Sequence, residues 1–264
     1  MIARLIVRLV ALLALAYLVL PLVVIVGASL TTTSYLAFPP ESLTLHWYRV
    51  MLDDPSYVAA FTTSTLLALA ATAVGIVLAV PASLAIARFE FPGRAALSAM
   101  LLSPLVLPYV VLGAALLQYG AAIGLVRSFA ALLVGHVIIV MPFVLRSILP
   151  LLTPEQRALE EASADLGARP VTTFFLVVLP QIRSGIVAGG LLAFISSWIN
   201  VELSIFNTTS ELNTIPVKMF NYVQYTIDPT IAAVSAITIV VAAITIILID
   251  LLIGLDMLSE PRQP

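Results

Sequence analysis

Charged side chains are scarce in this sequence, and a dense group of them lies in the stretch EEASADLGAR at residues 160–169. Glu161 and Asp165 are four residues apart, so a helix would place both carboxylates on one face, at a cost of about 0.2–0.5 kcal/mol. Glu160 adds a third acid beside them. Two interpretations fit: a loop face that is merely solvated, and an acidic surface that binds a basic partner.

A second group of polar side chains interrupts stretches that are otherwise apolar. His136 is the one titratable side chain deep inside such a stretch, where a packed histidine and a solute ligand are the alternatives. Small residues recur at every fourth position from Gly185 to Ser197, a pattern that lets membrane helices approach closely. Asn200 continues that side, so packing and the lining of a solute path both fit. The candidate substrate-pathway residues are His136, Ser196, Ser197 and Asn200.

The sequence lacks the residues that several kinds of chemistry require. It has no GxxxxGK[ST] motif for ATP and no cysteine, and it shows no constellation typical of paired carboxylates, of a nucleophile with its base, or of metal ligands. A net charge of −2 gives no reason to expect nucleic acid as a partner. We therefore expect a protein that is not an enzyme, with no catalytic, metal-binding or cofactor-binding residues.

The elements that position these residues are membrane-spanning helices. The chain of 264 residues is 61% apolar and 10% charged, whereas soluble domains carry about 25% charged residues. A helix needs about 20 mostly apolar residues to cross a bilayer. We predict an all-α, polytopic membrane protein whose residues 1–264 form a single transmembrane domain. Its six helices are expected near 5–29, 57–87, 96–119, 130–150, 184–206 and 230–254.

The distribution of basic residues predicts the orientation. Cytoplasmic loops carry an excess of lysine and arginine, and nine basic residues lie on one side of the predicted spans: Arg4, Arg8, Arg88, Arg94, Arg146, Arg157, Arg169, Arg183 and Arg262. The other side has Arg49, Arg127 and Lys218. We therefore expect cytoplasmic N- and C-termini. The loop 151–183, between the fourth and fifth spans, should be cytoplasmic, and 207–229 should face outward.

The loop 151–183 has the signals of a helix–turn–helix, and we call residues 153–180 the bracket. TPEQ at 153–156 offers a threonine cap, a proline for the first turn and a glutamine to complete a capping box. Gly167 suits the left-handed turn that ends a helix. A second short helix is expected from Pro170 to Leu179-Pro180, which leads into the fifth span.

The bracket resembles a known motif. Its residues Glu161-Ala162-Ser163, Gly167, Val177 and Leu179-Pro180 match, in type and spacing, the EAA motif of ABC-importer membrane subunits, with serine for alanine and valine for isoleucine as the two departures. The resemblance implies a coupling helix that docks on a cytoplasmic ABC ATPase dimer. The implied ATPase-coupling residues are Glu160, Glu161, Ala162, Asp165, Gly167, Leu179 and Pro180. ATP and Mg would be bound by that partner and not by this chain.

The resemblance extends over residues 40–254 to the branch of permeases that import spermidine and putrescine, on segments such as IARFEFPGR, HVIIVMPFVLRSI and TIPVKMFNYV. It implies a bacterial inner-membrane subunit for a polyamine or a related small solute. It also implies a second permease in a heterodimer, an extracytoplasmic solute-binding protein and contact with membrane lipid. Asn200 stands where that branch often has a carboxylate. The alternative function, a self-sufficient secondary carrier, is disfavoured because the sequence has no inverted repeat and few membrane carboxylates.

Overall fold

A computed structural model describes residues 2–253, so Arg262 and the end of the last predicted span at 254 lie outside the described residues. The all-α prediction is confirmed over this range, where the β structure is limited to one isolated bridge between Thr31 and Leu43. The α-helices are α1 (Ile2–Ser29), α2 (His46–Asp53), α3 (Pro55–Arg88), α4 (Arg94–Leu102), α5 (Tyr109–Ile123), α6 (Phe129–Ile148), α7 (Pro154–Asp165), α8 (Pro170–Thr173), α9 (Leu179–Trp198), α10 (Ile215–Val223) and α11 (Pro229–Ile253).

Four helical segments in the described part of the chain are long and apolar enough to cross a membrane. They are Arg4–Ser29, Pro55–Arg88, Phe129–Leu151 and Pro170–Trp198. A bent helix pair can supply a fifth, and a shorter apolar helix covers Pro229–Ile244. This agrees with a polytopic membrane protein, while the count of six spans stays a prediction.

The third predicted span is a broken helix. Arg94–Leu105 and Tyr109–Ile123 meet at an angle of 108°. The break has a local cause, because Pro108 lacks an amide hydrogen and takes an extended backbone conformation with φ −61° and ψ 125°. The span expected near 96–119 thus consists of two helical pieces joined at this break.

The chain divides into two compact units. One unit takes in the chain up to Ala59 together with Lys218–Thr245. Within it, the indole N–H of Trp47 donates to the carbonyl of Thr31 over 2.9 Å. The hydroxyls of Tyr48 and Ser29 are 2.7 Å apart. These two contacts hold α2 against the end of α1.

The second unit, built on Ala60–Val217, contains the bracket. Its core is the close pair α6 and α9. A methyl group on Gly189 would lie 2.6 Å from the Cα of Val144, and one on Gly185 would lie 2.6 Å from the carbonyl oxygen of Ser147. The prediction that small residues allow helix packing here is confirmed, because any larger side chain would separate the two backbones.

Candidate functional site

The first arm of the bracket is α7, which begins as predicted at Pro154 after Thr153. The predicted capping box is wrong. The Thr153 side chain instead hydrogen-bonds the carboxylate of Glu155 and lowers its pKa, while Oε1 of Gln156 is buried without a hydrogen-bond partner. An acid two residues after the cap competes for the hydroxyl that the box would need.

The turn between the arms is centred on Gly167. Its φ of +83° is left-handed, a conformation that favours glycine. The N–H of Gly167 donates to the carbonyl of Ala164 over 2.8 Å, and the N–H of Ala168 donates to the carbonyl of Ser163 over 3.1 Å. This pair of bonds is a Schellman motif. The prediction that Gly167 ends the first arm is confirmed.

The second arm does not stop where the sequence suggested. It begins at Pro170, but the helix continues without interruption to Trp198, so the predicted end at Leu179-Pro180 is wrong. Residues Phe174–Val178 form a π-helical turn. Pro180 cannot donate to a carbonyl one turn earlier, and the wider turn absorbs that loss without breaking the helix. The bracket therefore passes rigidly into the fifth span.

The acids of the first arm point in different directions. Glu161 is 66% exposed and its carboxylate lies 3.0 Å from Nε of Arg157. Glu160 is 22% exposed and lies 2.7 Å from the guanidinium of Arg88. Glu160 lies beside Glu161 in sequence but does not share its exposed face, because consecutive helix positions are about 100° apart.

Apolar side chains of the bracket are also exposed, around a groove that Glu161 does not line. Leu159, Leu166 and Leu176 are all exposed, Leu166 to 90%. The three line an open groove with a volume of about 510 Å³ between the arms. Exposed apolar groups of this size mark surfaces that bind other macromolecules. The groove can bind a protein that offers apolar contacts, and Glu161, on another face of α7, can interact with a basic group.

The predicted coupling residues thus have distinct environments. Those exposed to solvent are Glu161, Ala162, Asp165, Gly167 and Pro180, and those at least half-buried are Glu160 and Leu179. Sequence reasoning missed Arg88, which is 11% exposed. The sequence shows Arg88 at the end of an uncharged run, but it does not show the partner Glu160, which lies 72 residues away.

The pathway candidates belong to a buried hydrogen-bond network, which we call the histidine network (His136, Ser197, Asn200 and Ser204). Nδ1 of His136 is 2.7 Å from the hydroxyl of Ser197, and Nε2 is 2.9 Å from that of Ser204. The Ser204 hydroxyl donates its hydrogen to the carbonyl of Asn200. Nε2 must therefore carry the ring hydrogen, and Nδ1 accepts from Ser197.

The histidine network shapes the end of the fifth span. The side-chain oxygen of Asn200 accepts from the N–H of Leu203 over 2.9 Å, and α9 ends at Trp198 instead of the predicted 206. His136, Ser197 and Asn200 are at most 7% exposed, which leaves little surface for a solute. Ser196 is half-buried. For His136 the structure therefore favours a packed histidine over a solute ligand. The sequence did not indicate Ser204 as a partner.

No family model matches the chain. PotC of Haemophilus influenzae, a spermidine/putrescine transport system permease protein, is 27% identical over 237 residues, covering 90% of this chain and 92% of PotC. PotI of Escherichia coli, a putrescine transport system permease protein, is 30% identical over 208 residues, covering 76% and 73%. The chain belongs to the family of ABC-importer permease subunits.

The fold of the permease agrees with this assignment. A chain in the crystal structure of a bacterial ABC transporter involved in the import of the acidic polysaccharide alginate matches it with a TM-score of 0.71 at 15% identity. The match covers 94% of this permease and 95% of that chain.

The relatives confirm the prediction of a permease subunit and the prediction that the protein is not an enzyme. They support an importer subunit over the alternative of a self-sufficient carrier. Permease subunits of this kind generally carry no cofactor, since ATP is bound by a partner.

Proposed function

We propose that this permease forms half of a translocation pathway in the bacterial cell inner membrane, and that a cytoplasmic ABC ATPase dimer drives it through the bracket. The observation that carries the proposal is the combination of exposed Glu161 and exposed leucines on a bracket that continues into a span. The other half would be a second homologous permease, with a heterodimer favoured. An extracytoplasmic solute-binding protein would deliver the solute.

The bracket suits the transmission of force. The turn at Gly167 is fixed by two backbone hydrogen bonds, and the hydroxyls of Ser163 and Thr173 join the two arms at 3.0 Å. Pro170–Trp198 is one helical segment of 29 residues. A push on the first arm is therefore delivered to the fifth span as a rigid-body movement.

We propose a polyamine such as spermidine or putrescine as the solute. The support is that the relatives PotC and PotI are permease proteins of spermidine/putrescine and putrescine transport systems. Asn200 offers no carboxylate for a polycation, but Glu202 follows two residues later and is exposed. Ser196, which is half-buried, is the pathway candidate with the most accessible surface.

The test is reconstitution with an ABC ATPase, a second permease and a solute-binding protein. The permease should co-purify with an ATPase. Vesicles that contain the reconstituted complex should take up radiolabelled spermidine or putrescine in preference to a neutral or an acidic sugar. A permease that purifies alone and transports without ATP would overturn the proposal. ATP-driven uptake of a sugar but of no polyamine would overturn the solute alone.

A further inference from the structure

Glu160 and Arg88 form a connection that the resemblance to the EAA motif does not include. Nε and Nη2 of Arg88 lie 3.1 and 2.7 Å from the same carboxylate oxygen of Glu160. Nη1 donates to the carbonyl of Leu152 over 3.1 Å and to that of Thr153 over 3.5 Å. One guanidinium thus binds a side chain of α7 and the backbone just before that helix.

This contact joins the bracket to a helix other than the one it leads into. Arg88 is the last residue of α3, the 34-residue helix Pro55–Arg88. A basic side chain at a helix C-terminus also interacts favourably with the helix dipole. Because Arg88 is 11% exposed and Glu160 22% exposed, the pair is largely shielded from water. Water and salt therefore weaken the attraction between the two charges less than they do in an exposed pair.

We infer that Arg88 and Glu160 are positioning residues that carry movement of the bracket directly to the second span. The inference rests on the proposed function of the bracket. Glu161, next in sequence, faces outward and is available to the ATPase, while Glu160 faces inward and ties α7 to α3. Movement of α7 then reaches two spans at once, the fifth through the continuous helix and the second through this ion pair.

The side chains limit which substitutions preserve the contact. A lysine at position 88 keeps the charge but offers one ammonium in place of a planar fork, so it cannot hold the carboxylate and both carbonyls together. Glu160→Gln keeps the size but removes the charge. Removing either partner leaves the other shielded and unpaired, which is costly. Exchanging the two residues restores opposite charges.

The experiment compares Arg88→Gln, Arg88→Lys, Glu160→Gln and the exchange Arg88→Glu/Glu160→Arg in the reconstituted importer. Three quantities are measured: the amount of ATPase that co-purifies, the rate of ATP hydrolysis, and the number of radiolabelled spermidine molecules taken up per ATP. We expect co-purification to stay within about twofold, while uptake per ATP falls about tenfold in the three single variants and recovers in part in the exchange.

Arg157→Gln is the matched control. It breaks an arginine–glutamate pair on the same helix, but that pair is more than half exposed, so uptake per ATP should not change. Unchanged uptake per ATP in the Arg88 and Glu160 variants would overturn the inference. So would loss of the ATPase from any of them, since the pair would then serve docking. A complex that lacks an ATPase even before substitution overturns the proposed function instead.

Discussion

The turn at Gly167 gives the most direct test of the bracket. A Cβ at this position would meet no heavy atom within 4 Å, so Gly167→Ala brings no clash. Its cost is conformational, because a left-handed φ of +83° disfavours an L-residue by about 1–2 kcal/mol. If the free bracket relaxes to another turn and docking restores the native one, that cost weakens ATPase binding by about 5- to 30-fold.

Gly167→Pro should have a larger effect. Proline fixes φ near −65° and removes the N–H that donates to Ala164. The native turn then cannot form, and solute-stimulated ATP hydrolysis should be abolished although the permease still reaches the membrane.

The assay titrates purified ATPase onto the permease in nanodiscs and records both affinity and stimulated hydrolysis. Gly93→Ala is the matched control, because Gly93 has φ +87° and equally open surroundings but lies in the turn before α4. It should bind the ATPase normally. Normal stimulation in an assembled Gly167→Pro permease would refute the role of the bracket.

Three further predictions concern other parts of the chain. A cysteine at Ser210 should react with an impermeant maleimide in intact cells, and one at Ala168 only after permeabilisation; the opposite pattern would reverse the predicted orientation. Asn200→Leu removes the oxygen that accepts from the N–H of Leu203 and leaves this N–H unpaired at a buried site. We therefore expect melting to show a stability lower by about 1–3 kcal/mol, and uptake assays to show an unchanged solute preference. A changed preference at unchanged stability would place it in the path. Hydrogen bonds from Ser56, with the charge of Lys218, hold the pKa of Asp54 below 3.8, so its contribution to stability is present above that pH and is lost on further acidification. An Asp54→Asn melting curve that falls below pH 4 as steeply as the unaltered one would contradict this.

The sequence predicted local features well where one or two neighbouring residues decide the backbone. Gly167 and Pro170 are of this kind, since a left-handed turn and a first helical turn have strong residue preferences. The capping box failed for an equally local reason, because Glu155 competes for the same hydroxyl. The helix continues through Pro180 because the π-helical turn before it accommodates the missing N–H.

Contacts between distant residues could not be predicted. Arg88 and Glu160 are 72 residues apart, and His136 and Ser204 are 68 apart. Each pair combines residue types that also occur as solvated or lipid-facing groups, so one sequence does not reveal the pairing. The position of the bracket could therefore be predicted from the sequence. The pairing of its inward-facing acid Glu160 and the histidine network are seen only in the structure.

The π-helical turn at Phe174–Val178 also changes the hydrogen-bond register of the helix. In a π-helix the backbone bonds span five residues, whereas in an α-helix they span four. The wider turn therefore takes up one extra residue while the helix on either side of it continues. A deletion of one residue here would let the segment return to α-helical bonding, and the second arm and the fifth span would stay joined as one helix. The connection between the bracket and the span is thus a property of the continuous backbone and of no single side chain in this segment.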